Sequence, residues 1–236
     1  MRRAFVLVAA LTFIVSAGLL RSSEAASGNV ICLHGWNGSA SNCDTLKARY
    51  EAQGYTVHAL SLPRSGSSAG DTVINADYVQ AYIASNNLTD VKLDGHSLGG
   101  WLALTVALVR QDGAVSSVVL RDSGYGGIGC WLVPDLCSNS AAVAAVKNAP
   151  LSSVPILNLN SSTAPLPQVD CLKVYSGLAH NDFLTNPAVT AAAIGWPVVN
   201  PCATPTPTAT PSATTTPTAT PTPAPCSWWD RLWGRC

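Results

Sequence analysis

From residue 29 onward the chain alternates short apolar runs with stretches of helical period. The runs "NVICLHG" (29–35), "YTVHALSLP" (55–63), "VKLDG" (91–95), "SSVVLRD" (116–122), "VPILNLN" (154–160) and "CLKVYSG" (171–177) have strand length and are rich in Val, Ile and Leu. Between them the spacing predicts helices over 42–53, closed by Gly54, and over 71–87, 98–111, 139–148 and 187–195. In the 71–87 helix, Val73, Tyr78 or Val79, and Tyr82 or Ile83 share one stripe. Asn186-Pro187 offers an N-cap and a first turn to the last helix.

Strands that alternate with helices imply right-handed crossovers and a mostly parallel α/β sheet with helices on both faces. Ligands of such sheets bind beyond the carboxyl ends of the strands. The residues that follow the strands therefore carry the functional information. They are "HGWNG" (34–38), Ser97, Asp122 and "LAHND" (178–182), which contains His180.

The two ends of the chain break this pattern. Arg2 and Arg3 precede an apolar run from Ala4 to Leu20 and then the small residues around Ser23-Glu24-Ala25. That order predicts a secretory signal over 1–26, with an uncleaved membrane anchor as the alternative. Residues 204–225, "TPTPTATPSATTTPTATPTPAP", carry no charge and no aromatic ring. Proline at that density fixes an extended chain with few donors, so the segment reads as a disordered, semi-rigid linker. The last stretch, 226–236, "CSWWDRLWGRC", is a Cys-bounded tail with Trp228, Trp229 and Trp233. It is a candidate contact for a surface or polysaccharide, and folding back onto the domain is the alternative. One domain remains, 27–203.

The 13 basic and 13 acidic residues balance, which removes any electrostatic argument for nucleic acid or an anionic membrane as partner. Eight cysteines behind an export signal point to disulfides rather than metal. Proximity suggests Cys130–Cys137 and Cys226–Cys236, with Cys32–Cys43 and Cys171–Cys202 completing the set. No C-x-x-C or His/Cys cluster has zinc spacing, so neither metal nor cofactor is expected.

Gly95-His96-Ser97-Leu98-Gly99 is a G-x-S-x-G elbow set between an apolar strand and an apolar helix. The turn strains the serine's backbone, and side chains two residues either side would collide, hence glycine at both places. The turn pushes the hydroxyl out of the sheet and aims a helix N-terminus at the same spot, where it favours an oxyanion.

"ICLHGWNGSASNCDTLKARYEAQGY", "VKLDGHSLGGWLA" and "VYSGLAHNDFLTNPAV" resemble, in order and spacing, the small secreted bacterial lipases of the α/β-hydrolase fold. The resemblance spans most of 29–195. It implies a minimal, lidless or nearly lidless ester hydrolase with a Ser–His–Asp triad and no cofactor. Carried over by position, it implies Ser97 as nucleophile, His180 as general base, and the backbone N–H groups of Trp36 and Leu98 as the oxyanion hole. His34 then organises the oxyanion loop, His96 lies in the elbow pointing away from the nucleophile, and His58 is a strand residue.

The chain departs from the family at the acid. The family's aspartate ends a segment like "STAD", where this chain has Ser162-Thr163-Ala164-Pro165. Three aspartates compete. Asp170 precedes the last strand, and about six residues at roughly 3.3 Å each set it about 20 Å from the end where His180 sits. Asp182 is two residues from His180, although a triad acid normally comes from another element. Asp122 ends the strand after the nucleophile strand and is preferred to both. The absence of any acid is the third possibility.

Between that strand and the next helix, Tyr125, Ile128, Trp131, Leu132, Val133 and Leu136 concentrate apolar area around the Cys130–Cys137 loop. Trp131 and Leu132 are the substrate-binding candidates, as one wall of an acyl pocket or a short lid. A local mini-core is the alternative. The leading reading is a secreted, monomeric carboxylic-ester hydrolase acting on small-molecule or lipid esters. The rivals are an acyltransferase or amidase using the same serine, and a catalytically degenerate hydrolase serving as a binding module.

Overall fold

The strands β1 (Asn29–Leu33), β2 (Thr56–Leu60), β3 (Val91–His96), β4 (Val115–Arg121), β5 (Ile156–Asn160) and β6 (Cys171–Val174) form one sheet in the order β2-β1-β3-β4-β5-β6. Each neighbouring pair is parallel. The structure, a computed structural model, describes residues 28–124, 128–163, 166 and 168–203. The signal-like segment, the Thr/Pro stretch and the Trp-rich tail lie outside the described residues, as do Tyr125 and Ala164-Pro165.

Four α-helices cross between the described strands, α1 (Asp44–Glu51), α2 (Asp71–Ser85), α3 (Leu98–Leu104) and α4 (Ala141–Lys147), and α5 (Pro187–Gly195) follows the last strand. Strand side chains alternate between two buried clusters, as period 2 requires. Ile31, Leu33, Leu93, Val118, Leu120 and Ile156 meet Ala76, Val79 and Ile83 of α2, the apolar residues of α3, and Val143 and Val146 of α4. Val30, Cys32, Val119, Leu157 and Leu159 meet Leu46 and Tyr50 of α1 and Val189 and Ala193 of α5. Each Val, Leu or Ile side chain among them contributes about 1.5–3 kcal/mol by leaving water. With helices on both faces, the sheet is the α/β layer arrangement that the alternation predicts.

Two helices depart from the expected pattern. The buried stripe of α2 runs through Ala76, Val79 and Ile83, whereas Val73 is 44% and Tyr78 37% exposed. Its first turn is given over to polar anchoring. Asp71 Oδ2 accepts from the amides of Gly66 and Ser68, and the Asp135 carboxylate accepts from Gly70 and Thr72. The helix predicted over 98–111 is α-helical only to Leu104 and widens into a π-helical turn at Thr105–Val109. There the Thr105 hydroxyl donates to the Trp101 carbonyl, competing with the regular ladder.

Asn186 caps α5, its side chain accepting from Ala188 and Val189. Disulfides join Cys32–Cys43, Cys130–Cys137 and Cys171–Cys202. The expected Cys226–Cys236 pair lies outside the described residues.

Candidate active site

The chain leaves β1 for β2 on one side and β3 for β4 on the other. The segments that follow β1 and β3 therefore diverge, and a crevice opens between them at the carboxyl edge of the sheet. Gly35 and Trp36 follow β1, and Ser97 follows β3.

Ser97 stands between β3 and α3 with φ 57° and ψ −122°, a conformation that L-residues avoid. Its amide donates to the Arg121 carbonyl at 2.9 Å, which ties the turn to β4. The flanking glycines are steric necessities. A Cβ at Gly95 would overlap the Gly99 carbonyl, and one at Gly99 would overlap the Leu33 carbonyl. The loop after β1 also comes close: a Cβ at Gly35 would sit 3.0 Å from Ser97 Cβ. That proximity brings the Trp36 end of the loop to the serine. Leu98 opens α3, so its amide has no carbonyl of its own helix to bond.

His34 organises this loop. Leu62 N–H donates to Nε2 at 3.1 Å, so Nδ1 carries the proton and donates to the Gly35 carbonyl at 2.8 Å. Burial lowers its pKa, partly opposed by the bond to Gly35. His58, on β2, bonds Tyr82 of α2 and Asn29 of β1.

A 3₁₀ turn, His180–Leu184, carries His180 back over the strand ends. His180 Nδ1 and Asp122 Oδ2 are 2.6 Å apart, with side chains 3% and 0% exposed. A carboxylate only accepts, so Nδ1–H donates and Nε2 is left as the basic nitrogen. Asp122 has φ 47°, and its amide donates to the Leu159 carbonyl at 2.7 Å. Its other oxygen, Oδ1, accepts from the Ser161 amide at 2.9 Å and the Ser161 hydroxyl at 2.7 Å. Ser161 belongs to the segment after β5 where the resemblance implies the acid itself. The sequence reading does not single it out, although a short polar side chain at a strand end was a usable signal.

Ser97 and His180 line one cleft with Gly35, Trp36, Asn42, His96, Asn181 and Leu184. The position of His96 corrects the sequence reading, which turns it away from the nucleophile. Strand alternation stops at the Ser97 turn, so residues 96 and 97 both reach the cleft. The His96 and His180 rings are 4.5 Å apart between centroids, and His96 Nε2–H donates to the His180 carbonyl at 2.9 Å. Burial, reinforced by the neighbouring His180, lowers the His96 pKa to about 3 despite that bond.

The other two aspartates stand elsewhere. Asp170 accepts from the Ile156 amide at 2.7 Å where β5 begins, and Asp182 accepts from the Ala179 amide at 2.9 Å within its own turn. Trp131 is 69% exposed, and neither it nor Leu132 is among the described lining of the cleft. Val133 and Leu136 belong to the main core and Leu132 packs against it, so the loop does not form a core of its own. Among the described residues, no group of three His, Cys, Asp or Glu side chains is placed to hold a metal ion.

The family described as alpha/beta hydrolase fold matches residues 28–147. No curated protein matches the chain in sequence. Among similar solved structures is a monoacylglycerol lipase of Paleococcus ferrophilus: TM-score 0.55, 15% identity, covering 72% of this chain and 93% of that one. Another is Aspergillus fumigatus lipase B, with TM-score 0.57, 14% identity, and coverage of 71% of this chain and 52% of that one. A third is MGS-MChE2, an alpha/beta hydrolase enzyme from the metagenome of Mar Chica lagoon sediments: TM-score 0.52, 21% identity, covering 69% and 86%. At these identities the likeness is one of fold.

Proposed function

Because the chain belongs to the α/β-hydrolase fold family, we propose that it is a serine ester hydrolase, a lipase or carboxylesterase, working through an acyl-enzyme. The observation that carries this reading is the buried Asp122–His180 pair, 2.6 Å apart, opening onto the same cleft as the strained Ser97.

His180 Nε2 takes the Ser97 hydroxyl proton as the oxygen attacks an ester carbonyl. Asp122 holds the imidazole in the Nδ1–H tautomer and stabilises the imidazolium that forms. The Trp36 and Leu98 amides receive the tetrahedral oxyanion, a contribution of about 3 kcal/mol per donor. The C–O bond to the alcohol then breaks, and the leaving oxygen takes the proton from His180. Water, deprotonated by the same nitrogen, attacks the acyl-enzyme, and the carboxylic acid leaves with Ser97 restored.

Export is part of the proposal. Three disulfides need an oxidising compartment, and the N-terminal charge-then-apolar pattern supplies a route to it. Trp131, exposed on the loop beyond β4, is the proposed contact for longer acyl chains.

A fluorophosphonate probe tests the reading. It should label the wild type at Ser97 and leave Ser97→Ala unlabelled, and p-nitrophenyl esters should be hydrolysed only by the former. An unlabelled wild-type serine refutes the proposal and favours the degenerate binding module.

A further inference from the structure

Asp94 and Arg121 are both wholly buried, and neither takes part in the acyl chemistry above. An ion pair inside a sheet is often no more stabilising than well-packed apolar side chains of the same volume. What such a pair does supply is direction.

The register places Asp94 opposite Val119, so Arg121, two residues on, shares its face. The guanidinium forks onto the carboxylate, Nε to Oδ1 at 2.6 Å and Nη2 to Oδ2 at 2.7 Å. Tyr50 adds its hydroxyl to Oδ2 at 2.6 Å. Burial, and then the Asp94 carboxylate, hold the Tyr50 pKa well above its ordinary value, so the phenol stays a donor. Burial opposes the guanidinium's charge, and Asp94 more than offsets it.

The third donor leaves the pair. Arg121 Nη1–H donates to the Phe183 carbonyl at 3.0 Å, inside the turn that bears His180. Asp122, the next residue, bonds the His180 ring. Two consecutive residues at the end of β4 thus hold one turn at two points, its imidazole and its main chain.

We propose that the Asp94–Arg121 pair is a positioning device: the guanidinium, aimed by Asp94 and Tyr50, clamps the main chain of the His180 turn so that the imidazole faces Ser97 and Asp122 together. Neither Arg121 nor Asp94 touches a reacting atom; both act through the Phe183 carbonyl. A lysine at 121 could satisfy the charge of Asp94, but a single ammonium on a flexible stem cannot reproduce the planar fork with its third donor. The inference rests on the reading of His180 as general base.

The test compares Arg121→Lys, Tyr50→Phe and the double variant Arg121→Met/Asp94→Leu with the wild type. Thermal unfolding, kcat and KM on p-nitrophenyl acetate, and the rate of fluorophosphonate labelling are measured on each. Arg121→Lys and the double variant are expected to fold, to keep KM within about twofold and to lose between about tenfold and about 100-fold in kcat, the scale of a small misplacement of a catalytic group. Tyr50→Phe, which keeps both charges and nearly all the packing, should show a smaller fall in the same sense and guards against misfolding of the others. Folded variants with wild-type kcat overturn the inference, and so does a drop in melting temperature with kcat unchanged. A wild type that the probe does not label overturns the hydrolase reading instead, and the positioning role falls with it.

Discussion

Asp122 Oδ2 lies 2.6 Å from His180 Nδ1 across a sequence separation of 58 residues. One residue follows β4 directly and the other sits in the turn after β6, so only the assembled sheet brings them together. The carboxylate is fixed from its other side by both donors of Ser161. With one oxygen held by Ser161, the other is aimed at the imidazole, which it orients and whose protonated form it stabilises.

Replacing Asp122 with asparagine should lower kcat by roughly 10³- to 10⁴-fold, because the amide favours the wrong imidazole tautomer while the fold is kept. Asp182→Asn and Asp170→Asn should each change kcat by no more than about twofold, since their partners are the Ala179 and Ile156 amides rather than His180. Steady-state rates on a p-nitrophenyl ester decide among the three. A full-rate Asp122→Asn variant would remove this residue from the mechanism.

The elbow was legible because sterics wrote it into the sequence: the carbonyls facing positions 95 and 99 leave no space for a Cβ. The parallel sheet was legible because its strands are buried on both faces and read as continuous apolar runs. Asp122 was reachable by asking which aspartate ends a strand on the carboxyl edge. The Asp94–Arg121 pair was not, because it depends on the β3–β4 register, which no local pattern records. His96 was placed by its position in the elbow alone, which does not fix where its ring goes. Period-2 logic holds within a strand and fails at the Ser97 turn, where φ becomes positive. In α2, capping bonds overrode the apolar stripe, and Val73 was left in solvent.

His96 makes the fold acid-sensitive. Well above pH 6.5 the ring is neutral in both folded and unfolded chains and adds no pH dependence. Between 6.5 and about 3 the unfolded chain binds a proton that the buried ring refuses, so stability falls as pH falls through this window. His96→Gln keeps a donor for the His180 carbonyl and removes the titration. Urea unfolding at pH 7, 5 and 4 should show a shallower loss of stability for this variant than for the wild type; parallel curves would contradict the assignment.

The three disulfides among the described residues should differ in worth by the length of chain that they close. Cys171–Cys202 spans 31 residues, Cys32–Cys43 spans 11 and Cys130–Cys137 spans 7. Loop-closure entropy gives about 4, about 3 and about 2 kcal/mol in that order. Paired Cys→Ala variants, unfolded thermally without reductant, should rank the same way. The Cys32–Cys43 pair should cost more in kcat than its stability rank implies, because it closes the loop that carries Trp36.

Trp131 and Leu136 occupy the same disulfide-closed loop and should respond to truncation in opposite ways. Leu136 is 2% exposed and packs into the main core, so Leu136→Ala should cost about 2–5 kcal/mol of stability. Trp131 is 69% exposed, and the stability of Trp131→Ala should change by no more than about 0.5 kcal/mol. An indole held out of the core at the active-site edge has contact area to offer only to something that arrives from outside. If that is an acyl chain, Trp131→Ala lowers kcat/KM on a long-chain ester more than on an acetate ester, where the chain is too short to reach. An equal fall on both would make Trp131 a surface residue, and the Cys130–Cys137 loop a packing element of the main core rather than a wall of the substrate site.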